Sequence, residues 1–337
     1  MTNFQNKTAI SANICRPTLR GVGLRHPSNS WFPLWMLNRY FNFTWDNTPD
    51  FLFYGDINRK AIVSSSPNAI RIFLTGENIK ANWDETDYAL THERVYNKRH
   101  WRVPLWRQFY DPGNTVLNRD FKEVKTRVSL FCNFIYSNER AKERIHFFKL
   151  LNKYKHVDSG GKVLNNIGGR IDNKLEMVSK SKFTIAFENE SHPGYATEKI
   201  IEPLIQGSIP IYWGDTTIAQ DFNPDCFINV HNYDSFEDVI KEVIKIDTDV
   251  NLWKRYIEAP IFKNNILPQE LTNESYINFF NTIFKNKKSY VSHRSKKRQL
   301  QKYLWQLKLI KIKKIIFSIF YRSKTRLLFL LKSLINK

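Results

Sequence analysis

The chain has 337 residues, 42% hydrophobic and 15% aromatic, so it can bury cores for two ordinary domains. Its cysteines, Cys15, Cys132 and Cys226, are far apart and form no Cys-x-x-Cys or Cys/His cluster, so neither a disulfide framework nor a zinc site is indicated. The formal charge of +20 suggests a nucleic-acid binder until it is located: residues 286–337 hold 16 Lys and Arg and no acid, leaving 36 basic against 32 acidic residues, about +4, over positions 1–285.

The N-terminal stretch "MTNFQNKTAISANICR" lacks the apolar run of a signal peptide. The chain therefore reads as made and kept in a reducing compartment, with the Asn-x-Ser/Thr triplets at Asn6, Asn42, Asn189 and Asn273 as chance matches. Residues 1–50 show no clear period. From Asp50 short apolar runs bounded by turn residues read as strands: "FLFYG" (51–55), "IRIFLTGEN" (70–78) and "DYALTHE" (87–93). Residues 104–126 read as a linker. "RVSLFCNF" (127–134) predicts a strand, and "NERAKERIHFFKLLNKY" (138–154) a helix with Asn138 as N-cap. A glycine-rich loop (157–169) precedes a helix over 173–181. Strand "FTIAFEN", helix 197–206, strand "IPIYWG" (209–214), strand "FINV" (227–230) and helix "SFEDVIKEVIK" (235–245) follow. Strands alternating with helices predict an α/β fold with parallel sheets. The expected division is 1–126, 127–285 and a tail over 286–337.

Ligands of open α/β sheets collect at the carboxyl ends of strands. Glu188 and Asn189 sit at such an end, and Thr197 then opens a helix with Glu198 and Lys199 in its first turn. A cation there opposes the helix dipole, unless a bound phosphate neutralises both. A surface first turn, with Glu198 complementing the dipole, is the other reading. Arg144 lies near the mouth of strand 127–134, where a guanidinium can grip a diphosphate; taken alone, a solvated helix face with interleaved glutamates is the favoured reading. Glu77, following Thr75-Gly76, is placed as a general base or as a turn carboxylate. His92 and Glu93 are similarly placed. Neither GxGxxG nor GxxxxGK[ST] occurs, and HExxH and GxSxG are absent.

Together, "FEN", "GYATEKIIEPLIQGSIPIYWGD", "DFNP" and "FINVHNYDSFEDVI" closely resemble the donor-binding segment of the alpha-1,3-fucosyltransferases of glycosyltransferase family 10, the Helicobacter-type bacterial enzymes above all. "FLTGEN", "DYAL" and "RVPLW" resemble the family's N-terminal domain, and "GG…NNIGG…NK" its middle. The resemblance covers about residues 50–285; the first 50 match poorly. It implies a GT-B architecture, two Rossmann-like domains facing across a cleft, with GDP-fucose on the C-terminal domain, a glycan acceptor on the N-terminal one, and an inverting reaction. Carried over by motif, Glu77 looks like the general base, Glu198 and Lys199 the fucose- and pyrophosphate-binding pair, Arg144 the phosphate-gripping arginine, and Asn189 and Tyr195 nucleotide contacts. No metal site is implied and no cofactor is required, because lysine and arginine can carry the leaving-group charge. Ala196 departs from the usual valine, "ENESHPGY" is more charged than its counterparts, and the heptad repeats of several Helicobacter enzymes are absent.

The tail, "KKRQLQKYLWQLKLIKIKKIIFSIFYRSKTRLLFLLKSLINK" (296–337), alternates cations with large apolar residues and has no run long enough to span a bilayer. It predicts basic amphipathic helix lying on an anionic membrane at the cytoplasmic face, rather than a nucleic-acid arm. Two alternatives stand beside the fucosyltransferase reading: an inverting transferase for another GDP-sugar, and an inactive membrane- or polyanion-binding protein.

Overall fold

Short strands buried on both faces organise the molecule. Phe51–Tyr54, Ile70–Leu74 and Tyr88–Thr91 are buried at every position, as in parallel sheets covered on both sides. The computed structural model describes residues 12–14, 34–37, 39–41, 43–45, 49–56, 69–95, 97–112, 115, 117–285, 301 and 303–312.

The first sheet runs in the order β2-β1-β3-β4-β5-β6 and is parallel throughout. Its strands are β1 (Ala12–Ile14), β2 (Phe43–Trp45), β3 (Phe51–Tyr54), β4 (Ile70–Leu74), β5 (Tyr88–Thr91) and β6 (His100–Arg102). The second, also parallel, comprises β7 (Leu130–Phe134), β8 (Val157–Ser159), β9 (Ser181–Phe187), β10 (Ile209–Trp213) and β11 (Ile228–Asn229) in the order β11-β10-β9-β7-β8. The chain leaves β7 for β8 on one side and returns as β9 on the other. The strand order therefore switches between β7 and β9, the point where open sheets gather ligands. Two parallel α/β sheets are what the predicted GT-B architecture requires.

Helix α1 (Leu34–Leu37) lies in the first half. The segment expected to be a linker holds a 3-10 turn, Leu105–Phe109, and helix α2 (Phe121–Arg127), whose N-cap Asp120 accepts from the backbone N–H groups of Lys122 and Glu123. Strand β7 consequently starts at Leu130 rather than 127. Helix α3 (Lys142–Tyr154) starts later than expected: Ala141 is its N-cap, while Asn138 accepts from the Arg140 N–H in a preceding turn. Helices α4 (Lys174–Ser179) and α5 (Glu198–Gln206) start as expected, from Asn173 and Thr197 as caps. Gly207, at φ 75°, ends α5 in the left-handed conformation. Helix α6 (Phe236–Thr248) outruns its expected end by a turn, and α7 (Val250–Glu258) and α8 (Asn273–Lys285) carry no counterpart in the sequence reading.

Helix α8 crosses back to the first sheet. Phe284 meets Phe41 and Phe51 at centroid distances of 5.1 and 4.9 Å, and Phe280 lies 6.0 Å from Phe53. The Tyr276 hydroxyl donates to the Arg102 carbonyl at 3.0 Å. Residues Met1–Lys285 thus form one compact unit. Buried charge joins its halves: Asp221 accepts from Arg102 at 3.0 and 2.5 Å, from Arg94 at 2.8 Å and from the Trp106 indole at 3.3 Å. Here "RVPLW", noted for its resemblance, works as a structural joint.

Asn286–Lys337 is a separate unit. Residues 303–312 are helical and every one is exposed, Trp305 at 66% and Tyr303 at 58% included. Residues 286–300 and 313–337, which carry most of the expected amphipathic tail, lie outside the described residues.

Candidate active site

Strand β9 carries Glu188 and Asn189 out of the second sheet at the switch point, and α5 begins nine residues later. Glu188 is completely buried. Its carboxylate accepts from the Thr197 N–H at 2.7 Å, from the Thr197 hydroxyl at 2.9 and 2.8 Å, and from Lys199 Nζ at 3.0 Å. Lys199 Nζ also reaches Thr197 Oγ1 at 2.9 Å and Glu198 Oε1 at 3.3 Å. Its side chain is only 15% exposed, so it does not extend freely into water. The first turn of α5 is a built charge cluster, which rules out the surface-turn reading.

Burial pulls the Lys199 ammonium down, but Glu188 and Glu198 outweigh it and hold its pKa above the ordinary value. Burial pushes Glu198 up; Lys199, then Lys174, overcome that and leave it below the usual carboxylate range. For Glu188 burial dominates and the carboxyl is raised despite Lys199. Lys199 is accordingly a cation and Glu198 an anion at neutral pH. Both line a pocket with Asn133, Tyr136, Lys174 and Glu202.

Arg144 lies in the first turn of α3, after β7, and is 1% exposed. Its guanidinium carbon sits 4.1 Å above the centre of the Tyr136 ring. Its Nη2 donates to Asn189 Oδ1 at 2.8 Å, while its buried Nε has no protein partner. Tyr136 is fixed below it, donating to the Ile185 carbonyl at 2.7 Å and accepting from the Phe187 N–H at 2.8 Å. Burial pushes that phenol up to about 12. The solvated-face reading of Arg144 is therefore overturned. Periodicity could not reveal this, because the glutamates and lysines around Arg144 look alike on a helical wheel.

Tyr195 is buried and its phenol is raised first by burial, then by Glu188. Glu77 follows β4 in a turn where its N–H donates to Thr75 Oγ1 at 3.1 Å, and its side chain is exposed. That turn touches the donor-side loop directly, Asn78 Nδ2 donating to Glu190 Oε2 at 2.8 Å. The tertiary structure thus joins Arg144 to Asn189 and Lys199 to Glu198, and brings the turn of Glu77 against the loop between Glu188 and Tyr195. Glu188 was visible in sequence only as a carboxylate at a strand end; its pairing with Lys199 had no local signal. Among the described residues no group of three His, Cys, Asp or Glu side chains could hold a metal ion.

Comparison with known proteins agrees with this geometry. The profile of the "Glycosyltransferase family 10 (fucosyltransferase) C-term" domain matches residues 124–281. That of the "Alpha-(1,3)-fucosyltransferase FucT N-terminal domain" matches residues 23–110, so the similarity starts well before residue 50. The alpha-(1,3)-fucosyltransferase FucT of Helicobacter pylori is 31% identical over 277 residues, 70% of this chain and 57% of that protein. Alpha-(1,3)-fucosyltransferase B of Drosophila melanogaster is 27% identical over 189 residues, 50% of this chain and 42% of its own length. The chain thus spans about half the length of these relatives. A crystal structure of an alpha1,3-fucosyltransferase superposes with a TM-score of 0.74 at 26% identity, covering 86% of this chain and 94% of the other. One with GDP-fucose gives 0.70 at 25% identity, covering 86% and 95%. Both halves of the site, the turn after β4 and the loop between β9 and α5, lie inside the matched segments, and the chain belongs to glycosyltransferase family 10, the fucosyltransferases.

Proposed function

We propose that this chain is an inverting alpha-1,3-fucosyltransferase that moves L-fucose from GDP-fucose to a glycan hydroxyl, O-3 of GlcNAc in a Gal-GlcNAc unit of a lipopolysaccharide or other surface glycan. The observation that carries the reading is a pair of held cations, the mostly buried Lys199 and the buried Arg144, at the carboxyl ends of the switch-point strands. They frame the position where a sugar diphosphate would lie.

The acceptor oxygen forms a bond to the anomeric carbon of fucose while the bond from that carbon to the β-phosphate oxygen breaks. The electron pair leaves with GDP, and the acceptor proton passes to the Glu77 carboxylate. Lys199, Arg144 and the N-terminus of α5 stabilise the charge that develops on GDP. Glu198, held ionised, faces the oxocarbenium-like sugar. Asn189, oriented by Arg144, and Tyr195 contact the nucleotide. Glu77 contributes about 10²–10⁴-fold as a base. A metal is not obligatory in this scheme, because two fixed cations meet the leaving group.

The proposed place of work is the cytoplasmic face of the cell membrane, reached through residues 296–337. Supporting it, the described helix 303–312 exposes Tyr303, Leu304, Trp305, Ile310 and Ile312 beside Lys308 and Lys311. Among the described residues no helix is long and apolar enough to cross a membrane. The test is GDP release with GDP-fucose and N-acetyllactosamine, with GDP-mannose as control. Acceptor-dependent release with GDP-fucose alone supports the proposal; release with GDP-mannose instead moves it to another GDP-sugar, and no binding of either donor by calorimetry overturns it.

A further inference from the structure

His92, at the exit of β5, is 1% exposed, and neither ring nitrogen makes a well-formed hydrogen bond, the Glu77 backbone being the one polar group that bears on it through a bond. A buried imidazole normally satisfies at least one nitrogen. What this ring has instead is aromatic contact. It stands edge-to-face with His192 at 5.4 Å and 88°, and with Tyr195 at 5.4 Å and 71°, both inside the range of favourable ring pairs. Both partners belong to the donor-side loop.

The backbone at this point is equally tight. Arg102 Nε donates to the His92 carbonyl at 3.2 Å and ties it to the first sheet. Gly194, at φ 82°, lies so close that a Cβ there would sit 2.5 Å from that same carbonyl. The groups facing the ring are His192 and Tyr195 from the donor loop, Arg102 and His100 from β6, and the Glu77 backbone from the turn after β4. Burial first, then His192 and Arg102, lower its pKa to about 4, against the pull of the Glu77 backbone. The ring is neutral at ordinary pH.

We infer that His92 is a positioning residue whose ring acts as an aromatic spacer, setting the distance between the turn that carries Glu77 and the loop that carries Tyr195. This rests on the proposed transfer reaction, in which Glu77 must meet an acceptor held against the donor. The ring meets the donor-side loop through its aromatic contacts with His192 and Tyr195, which outweigh its one weak polar contact with the Glu77 backbone. The ring therefore matters for its shape, and a phenyl ring can replace it.

The experiment compares the full-length wild type with His92→Ala and His92→Phe by GDP release with GDP-fucose and N-acetyllactosamine, by GDP affinity from calorimetry, and by thermal unfolding. His92→Ala is expected to lower kcat about tenfold or more, since small misplacements of reacting groups are costly, with GDP affinity unchanged. His92→Phe is expected to keep the wild-type kcat and its pH profile, and to unfold at a higher temperature because buried ring nitrogens without a well-formed hydrogen bond are gone. Equal loss in Ala and Phe would make the nitrogens the functional groups and overturn the inference. So would wild-type kcat in His92→Ala, or a fall in GDP affinity that tracks its loss of turnover. If the wild-type chain itself released no GDP, the transfer reading would fall, and this inference with it.

Discussion

The donor-side loop and the acceptor-side turn meet in one compact unit but are built in opposite ways. Between Glu188 and Lys199 the loop is a closed network: a buried carboxylate, a capping threonine and a mostly buried lysine satisfy one another. The turn around Glu77 has an exposed carboxylate, backbone bonds to Thr75 and from the Ile79 N–H at 2.7 Å, and a bond to the opposite loop through Asn78. A site for a charged leaving group must be preorganised, since reorienting dipoles during the reaction costs energy. A base that serves an incoming hydroxyl has to stay reachable. Under the proposed function, the difference in burial follows from the difference in task.

That contrast predicts rate loss without instability on the acceptor side and both together on the donor side. Glu77→Gln should lower kcat by about 10²–10⁴-fold and leave the unfolding midpoint in urea unchanged; a shifted midpoint would mean the turn is structural. Asp221→Asn probes the joint between the regions. It leaves the buried Arg102 without its carboxylate, while Arg94 keeps Thr217 and Asp215, and should cost about 3–5 kcal/mol at neutral pH. Burial raises the Asp221 carboxyl, but Arg102 and then Arg94 hold it below the ordinary value. The folded chain therefore binds fewer protons than the unfolded chain between the folded and unfolded pKa values. Stability rises with pH across that window and is lost as acid takes Asp221 through its folded value. The Asn variant should lack this slope, which urea titrations at several acidic pH values would reveal.

Lys199→Met should cut turnover by about 10²–10³-fold and also destabilise the fold, because Glu188 loses its cation. Adding Glu188→Gln should restore stability but not turnover; recovery of both would refute a leaving-group role for Lys199. Arg144→Lys keeps the charge and loses the planar fork, so GDP affinity should fall about tenfold, one charge-assisted hydrogen bond's worth. Calorimetry would show no change if Arg144 only supported the helix. The smallest effect belongs to Asn78→Ala, whose exposed bond to Glu190 should be worth about two- to threefold in kcat. A larger loss would mean that the acceptor side is as rigidly held as the donor side.

Much of this could be read along the chain. Apolar runs bounded by turn residues located β3, β4, β5, β9 and β10, and Thr197 and Asn173 marked helix starts, because these signals are local. The motifs carried the family and the candidate residues, since a strand–loop–helix unit keeps its polar groups within a short stretch. Helices α7 and α8 escaped notice. The apolar positions of α8 face partners more than 170 residues earlier, Phe41, Phe51, Phe53, Tyr88 and Trp101.

Tertiary structure alone decided which charges are buried. Arg140, Lys142 and Arg144 are alike as basic residues in sequence, yet Arg144 is enclosed over Tyr136 where the connections leaving the paired strands β7 and β9 run to opposite sides of the sheet. Lys199 gains a second carboxylate, beyond the adjacent Glu198, because β9 delivers Glu188 to it from eleven residues away. Local patterning determines secondary structure and the stock of chemical groups. Desolvation and pairing depend on elements distant in sequence, and these set which of those groups are charged, held and aimed.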